Sequence, residues 1–311
     1  MTLMTEPASR RAVFNAAWEQ GFDPATAELI AHGFNHVYRL PRAGVIAKVH
    51  QPGTSAEAAH RQNRIALWLL RNGIPAPRPA GHTTQPATAD PLLVTFADDL
   101  GTGPAANPHQ LATLLRSLHS LEVPNDLDLP AMDPFPELAR RITALAPTAV
   151  NGEQRMRLRV LFDEARERWA AAAWPEHRCV VHGDVGWANT ITTAAGPALL
   201  DFERVAVGYA WQDLAAVAWD RDAFGGNSAD YAEFAAAYGV DVVRHDRGRT
   251  YQAITRLSAL TGCVTALEVS GALPRWQEEA ALRLETVLAV PSPRLPWSWR
   301  MSSTLAVEAT R

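Results

Sequence analysis

Residues 181–205 read VHGDVGWANTITTAAGPALLDFERV. His182, Asp184 and Asn189 fall in one short loop, and the apolar run Ala198-Leu199-Leu200 ends on Asp201. Oxygen-bearing groups in this order suit metal-dependent phosphoryl transfer, where the protein supplies mainly positioning and charge. The Asp184 carboxylate can orient a hydroxyl nucleophile. Asn189 and Asp201 can hold magnesium, which takes few protein oxygens and completes its shell with water and nucleotide phosphates.

Upstream of this segment the chain changes character. Arg10 to Gln20 reads as a short helix, and Pro24 to Ile30 as another. Residues 34–40, Phe-Asn-His-Val-Tyr-Arg-Leu, alternate as a strand does, Pro41 to Gly44 is a turn, and residues 45–50 form a second strand. A period of two puts Val45, Ala47 and Val49 on one face and Ile46, Lys48 and His50 on the other. Ser55 to Asn72 reads as a helix with Ser55 as its N-cap and Gly73 just past its end. Leu92 to Phe96 is a strand, and the polar, glycine-containing run from Ala97 to Pro104 marks a domain hinge.

Beyond the hinge the pattern is helical. Leu111, Leu114, Leu115 and Leu118 form one apolar stripe, and Arg155 to Ala173 carries another. A proline-rich stretch from Pro124 to Pro136 interrupts the helices. Cys179 to Val181 leads into the catalytic loop, and Ala198 to Leu200 is a short strand delivering Asp201. Further helices are expected over 209–220, 230–238, 252–269 and 275–290. The tail from Pro291 is proline-rich with little periodicity and reads as partly mobile. The expected architecture is α+β, with a small, mostly β N-terminal part (residues 1–97), a larger, mostly helical part (98–290) and a proline-rich tail (291–311).

Composition narrows the function. With 311 residues, 47 % hydrophobic, the chain can build sizeable cores, and a formal charge of -4 offers no basic footprint for nucleic acid. Two cysteines make no disulfide framework for this length and read as buried thiols. The N-terminus has no sustained apolar stretch, and later apolar runs are broken by charge or proline well short of a membrane span. The expectation is a cytoplasmic protein with no membrane or nucleic-acid partner, as a monomer or weak homodimer.

The motif His182-Gly-Asp184 followed by Asn189, with Asp201-Phe202-Glu203 and then Gly208 and Asp213-Leu214-Ala215, resembles the aminoglycoside phosphotransferase and choline kinase-like family. Phe34 to Tyr38, Lys48, Gly73 to Arg78 and Leu118-His119 follow that family in order, so the resemblance covers roughly residues 30–290. It implies a protein kinase-like fold that binds ATP and Mg2+ in a cleft between two lobes. It assigns Asp184 as catalytic base, Asn189 and Asp201 as magnesium ligands, and Lys48 as a phosphate contact. His182 and Asp213 brace the loop. Phe96 and Ala97 offer backbone groups to adenine. Trp187 and Glu203 are candidates for the acceptor side, and Asp98 and Asp99 for ribose or a cationic acceptor. One departure stands out: the first long helix has Gln62 where the family places a glutamate that partners the lysine, so Gln62 is expected to hold Lys48 through its amide oxygen. A glycine-rich phosphate loop is also missing, with only Gly33 before Asn35.

The implied activity is transfer of the ATP γ-phosphate to a small-molecule hydroxyl, as in antibiotic kinases of the aminoglycoside phosphotransferase type. Metabolic kinases for choline, homoserine or a sugar are the nearest alternative. A nonenzymatic nucleotide-binding regulator is a further one, supported only by the altered lysine partner. A protein kinase is disfavoured by the missing glycine-rich loop and the missing Arg-Asp pair.

Overall fold

In chain order the elements are α1 (Glu6–Glu19), β1 (Glu28–His32), β2 (His36–Leu40), β3 (Val45–Val49), α2 (Ala56–Arg71), β4 (Ala87–Ala89), β5 (Leu92–Asp98) and α3 (Pro108–His119). They continue with α4 (Phe135–Ala144), α5 (Gly152–Ala170), β6 (Cys179–Val181), β7 (Thr190–Thr193), β8 (Gly196–Leu199), β9 (Ala206–Gly208), α6 (Ala210–Phe224), α7 (Ser228–Tyr238), α8 (Arg249–Ser270) and α9 (Gln277–Leu288). The computed structural model describes residues 4–81, 84–89, 91–271, 273–290 and 294–300. These fall into two units. One is the chain up to Leu129 together with Trp187–Val205, and the other is Pro130–Gly186 with the chain from Ala206 onward.

The first unit is built on an antiparallel sheet of order β1-β2-β3-β5-β4. Alternation along β2 and β3 turns Tyr38, Leu40, Val45, Ala47 and Val49 into a core shared with Val13, Ala16 and Ala17 of α1. The same period sends Lys48 to the opposite face, opposite Val37 on β2 and Thr95 on β5. The helix expected over 24–30 is not formed. Pro24 to Ala27 make a turn, closed by the Ala27 amide on the Pro24 carbonyl at 3.0 Å with the Ala25 amide donating to Asp23 Oδ1 at 2.9 Å, and the chain enters edge strand β1 at Glu28. Leu29 and Ala31 then pair with β2 across an irregularity in register, a long-range pairing that overrides a weak local helical pattern. Strand β5 runs on to Asp98, past the expected end at Phe96, because Ala97 and Asp98 pair with Ile46 and Val45. Ladder pairing is a backbone matter and tolerates polar side chains at a strand end.

Helix α2 starts where its cap predicts: Ser55 Oγ accepts from the Ala58 amide at 3.1 Å, and Gly73, at φ +76°, follows the C-cap. The hairpin of β7 and β8 completes this unit, with Thr190 paired to Leu199 and Thr193 to Gly196. Only its second strand is evident from the apolar pattern. The first is a run of β-branched residues, Thr190-Ile-Thr-Thr, with no buried stripe.

In the second unit β6 pairs antiparallel with β9, Val181 opposite Ala206. Helix α8 is its axis, burying Leu260, Cys263, Val264 and Leu267 against a core that includes Leu158 of α5 and Leu284 of α9. Arg141 of α4 ties on through three contacts to Glu268, the shortest 2.7 Å, and one to Thr265 at 2.7 Å. Pro136 lies in the first turn of α4 rather than breaking it, because a proline there gives up an amide that has no helical partner anyway.

The part of the tail at 294–300 is packed against α6 and α9. Trp299 is 3 % exposed and packs edge-on against Trp219, while Arg283 donates to the Arg300 carbonyl at 2.6 Å and to Glu279 at 2.6 Å. Trp297 and Trp299, both packed edge-on against Trp219, can hold a segment that has no helical period. The tail beyond Arg300 lies outside the described residues. Both cysteines are buried, and burial pushes the thiols up, Cys179 to about 11 and Cys263 to about 12, so neither is a thiolate nucleophile at neutral pH. Among the described residues no helix is long and apolar enough to cross a membrane.

Candidate active site

Lys48 is the centre of a charged cluster in the first unit. Its Nζ lies 2.8 Å from Asp201 Oδ1, 2.9 Å from Glu203 Oε1 and 3.3 Å from Gln62 Oε1. The Lys48 side chain is 18 % exposed, Asp201 35 % and Glu203 30 %, so the cluster is set into the surface and open to solvent. Burial alone would lower the lysine's pKa. The Asp201 and Glu203 carboxylates outweigh it, and the pKa stands above its ordinary value. The ammonium is therefore charged throughout the neutral range.

The β7–β8 hairpin explains how Asp201 arrives. Asn189 closes a single 3-10 turn before β7, and the Leu200 amide, just past β8, donates to the Asn189 carbonyl at 2.9 Å. Asn189 and Asp201 thus stand at the two open ends of one hairpin. Thr190 Oγ1 fixes that end by donating to the Trp187 carbonyl at 2.8 Å and accepting from the Ala106 amide at 2.9 Å. Asp201 itself has φ +59°, a left-handed backbone that aspartate tolerates better than most residues.

Among the described residues no group of three or more His, Cys, Asp or Glu side chains could cage a metal ion. The donor set at the hairpin base is sparser, one carboxylate and one amide. It fits a hard cation such as Mg2+, which keeps several waters and takes further oxygens from substrate phosphates.

Asp184 belongs to the second unit, on the loop that leaves β6. The loop's backbone is held from α6: Asp213, 1 % exposed, accepts from the His182 amide at 2.7 Å and the Gly183 amide at 2.9 Å. Gly183 sits at φ +78° and Val185 is buried, so Asp184 is raised on an exposed step between two anchored residues. Two backbone amides converging on one buried carboxylate fix the loop that carries Asp184.

The remaining expected residues are placed as follows. Gln62 does reach Lys48. The Phe96 amide donates to Gln85 Oε1 at 2.6 Å and its carbonyl accepts from the Ala80 amide and from Gln85, so its backbone is occupied inside the sheet. Ala97 pairs with Ile46. Asp99 is taken by Arg39, at 2.7 and 3.2 Å, and Arg39 also donates to the Gly101 carbonyl at 2.7 Å. Trp187 is half-buried in the turn before Asn189. Glu203 Oε1 accepts from Asn35 Nδ2 at 2.6 Å as well as from Lys48. Asn35 and Gln85 are the two residues whose roles were not foreseen. Asn35 had a weak signal, a polar residue just past Gly33 in the β1–β2 turn, whereas Gln85 had none.

The sequence profile of the phosphotransferase enzyme family matches residues 26–252, and the chain belongs to that family. No curated protein matches it. Solved structures similar to this chain include a choline/ethanolamine kinase family protein from Mesorhizobium loti, 16 % identical, with 93 % of this chain and 96 % of that one covered and a TM-score of 0.63. An aminoglycoside phosphotransferase from Streptomyces rimosus, solved with ADP and streptomycin, is 21 % identical over 82 % of this chain and 99 % of that one, with a TM-score of 0.56. A Plasmodium vivax ethanolamine kinase is 14 % identical over 91 % and 88 %, with a TM-score of 0.62. At these identities the shared property is the fold, which is the protein kinase-like α+β fold expected from the motifs.

Proposed function

We propose that this phosphotransferase is an ATP- and Mg2+-dependent small-molecule kinase that transfers the γ-phosphate to an acceptor hydroxyl. The observation that carries the reading is the Lys48–Asp201 ion pair of 2.8 Å, formed between residues far apart in sequence and flanked by Asn189 across the hairpin base. A strand lysine beside a metal-type aspartate suits a triphosphate bound with its cation. Asn189 and Asp201 would hold Mg2+, which when bound neutralises charge on the β- and γ-phosphates. Lys48 supplies a point charge to the phosphate oxygens. Asp184 orients the acceptor hydroxyl and takes its proton as the new P–O bond forms and the bond to the leaving phosphate breaks.

Ala97, on the same sheet face as Lys48, is assigned to packing near the base, whereas the Phe96 side chain is buried in the core on the opposite face. Recognition through the Phe96 amide would require displacing Gln85. On the acceptor side, Trp187 offers an aromatic wall. We assign the acceptor to hydroxyl-bearing amines and sugars of the antibiotic-kinase type, with choline, homoserine or sugar kinases as the metabolic alternative. The test is coupled ATP turnover with Mg2+ across aminoglycosides and related antibiotics, choline, ethanolamine, homoserine and sugars. Turnover with one antibiotic class supports the reading. Turnover with choline or homoserine alone selects the metabolic branch, and efficient phosphorylation of a folded protein with no small acceptor rejects both.

A further inference from the structure

We propose that Glu203 is a positioning residue that stands in for the missing helix carboxylate, keeping Lys48 and the β1–β2 turn in place when Asp201 turns to its metal. The inference rests on the phosphotransfer reading above and assigns Glu203 to the nucleotide side of the site rather than to the acceptor.

The argument is one of counting. An ammonium carries three N–H donors and no acceptor. Lys48 has three acceptors around it, Asp201 at 2.8 Å, Glu203 at 2.9 Å and Gln62 at 3.3 Å. Its donors are all engaged, so a phosphate oxygen is accepted only when one partner lets go.

The three partners are not equivalent. Gln62 is neutral and lies at the longest distance, so it orients the ammonium without balancing its charge. Asp201 is the carboxylate proposed to hold the cation, and a bound Mg2+ competes with Lys48 for its oxygens. Glu203 is anchored elsewhere as well. The oxygen that takes Lys48 also takes Asn35 Nδ2 at 2.6 Å, and Asn35 Oδ1 accepts from the Gln51 amide at 2.9 Å, just beyond β3. Glu203 is thus the partner that stays. The donor released by Asp201 would then be available to a phosphate oxygen, while the set-in lysine keeps one anionic neighbour throughout. In chain terms, the carboxylate that the helix lacks at Gln62 is supplied by the residue two beyond Asp201.

The experiment is calorimetric binding of a non-hydrolysable ATP analogue to the full chain, with and without Mg2+. The variants are Glu203→Gln, Gln62→Glu and the double variant, each checked for an unchanged melting temperature. Glu203→Gln should weaken binding with Mg2+ by about 10-fold, in the range of one charge-assisted contact. The loss should be smaller without Mg2+, because Asp201 then still holds Lys48. The double variant should regain most of the affinity, since a carboxylate at position 62 starts 3.3 Å from Nζ. Glu203→Asp, which keeps the charge and shortens the reach, should lose an intermediate amount and serves as the test if the glutamine variant does not fold. Unchanged affinity in Glu203→Gln overturns the proposal. So does a double variant no tighter than Glu203→Gln, which would make Glu203 a tether for the Asn35 turn alone. A wild-type chain that binds no nucleotide in either condition removes the phosphotransfer reading itself. A wild-type chain that binds and turns over nucleotide while the Glu203 variants match it removes only the role given to Glu203.

Discussion

Lys48 and Asp184 are charged groups held in opposite ways. Lys48 is gripped by three side chains, two of them carboxylates, in a cluster open to solvent. The step that carries Asp184 is fixed through backbone amides bonded to the almost fully buried Asp213. Side-chain ion pairs near the surface are individually weak and exchange easily. Hydrogen bonds from two amides to a buried carboxylate are costly to break. The difference suits the two tasks proposed for them: a lysine that binds phosphate must trade partners as substrate arrives, and a residue that orients a nucleophile must not move.

Breaking the fixed side at its reactive group should have the largest effect. Asp184→Asn keeps the size and loses the basic oxygen, so single-turnover transfer should fall by roughly 100-fold or more while nucleotide affinity is retained. Near-normal transfer in rapid-quench measurements would take Asp184 out of the role. Next is the brace itself. Asp213→Ala strands two amides, which should cost about 2 kcal/mol in denaturant unfolding and lower turnover, again with nucleotide affinity kept. If the variant loses nucleotide binding as readily as turnover, the two regions are not held independently.

The exchangeable side should respond differently. Asp201→Ala should weaken nucleotide binding by about 10-fold with Mg2+ present and clearly less without it, as calorimetry would read. Equal losses in both conditions would reject Asp201 as a metal ligand. The smallest effect is an acid response confined to the sheet unit. Burial and the neighbouring His32 hold His36 neutral, and burial and the Lys48 charge hold His50 neutral, each down at about 4 from an ordinary 6.5. The unfolded chain therefore binds more protons than the folded one between those values, and stability falls as pH drops through 6.5 towards 4. Between pH 7 and 6 the loss should be on the order of 0.5–1 kcal/mol per histidine. Hydrogen exchange should show it first in β2, β3 and β5, and uniform loosening across α8 and α9 would contradict that assignment.

Much of this was legible before any coordinates. Local order declares itself through short-range rules: the period of two in β2 and β3 turned Lys48 away from the core, and Ser55 and Gly73 bounded α2. The motif spacing from His182 to Glu203 carried the family, the fold and the identity of the charged residues. Where reading failed, the deciding contact lay outside the local window. Residues 28–32 became a strand because β2 pairs with them, and residues 294–300 are anchored because Trp299 finds a hole among Trp219, Phe224 and Arg283.

The sequence by itself determined which residues carry charge and oxygen, and in what order, because a catalytic loop must present fixed groups over a few residues of chain. Only the tertiary structure decided who partners whom. Glu203 and Asn35 are separated by 168 positions and meet at 2.6 Å; Lys48 and Asp201 are separated by 153 and meet at 2.8 Å. No periodicity encodes such pairs. They exist because a hairpin base and a sheet face are brought together by packing elsewhere, and the short range of hydrogen bonds makes them depend on that packing to within a fraction of an ångström.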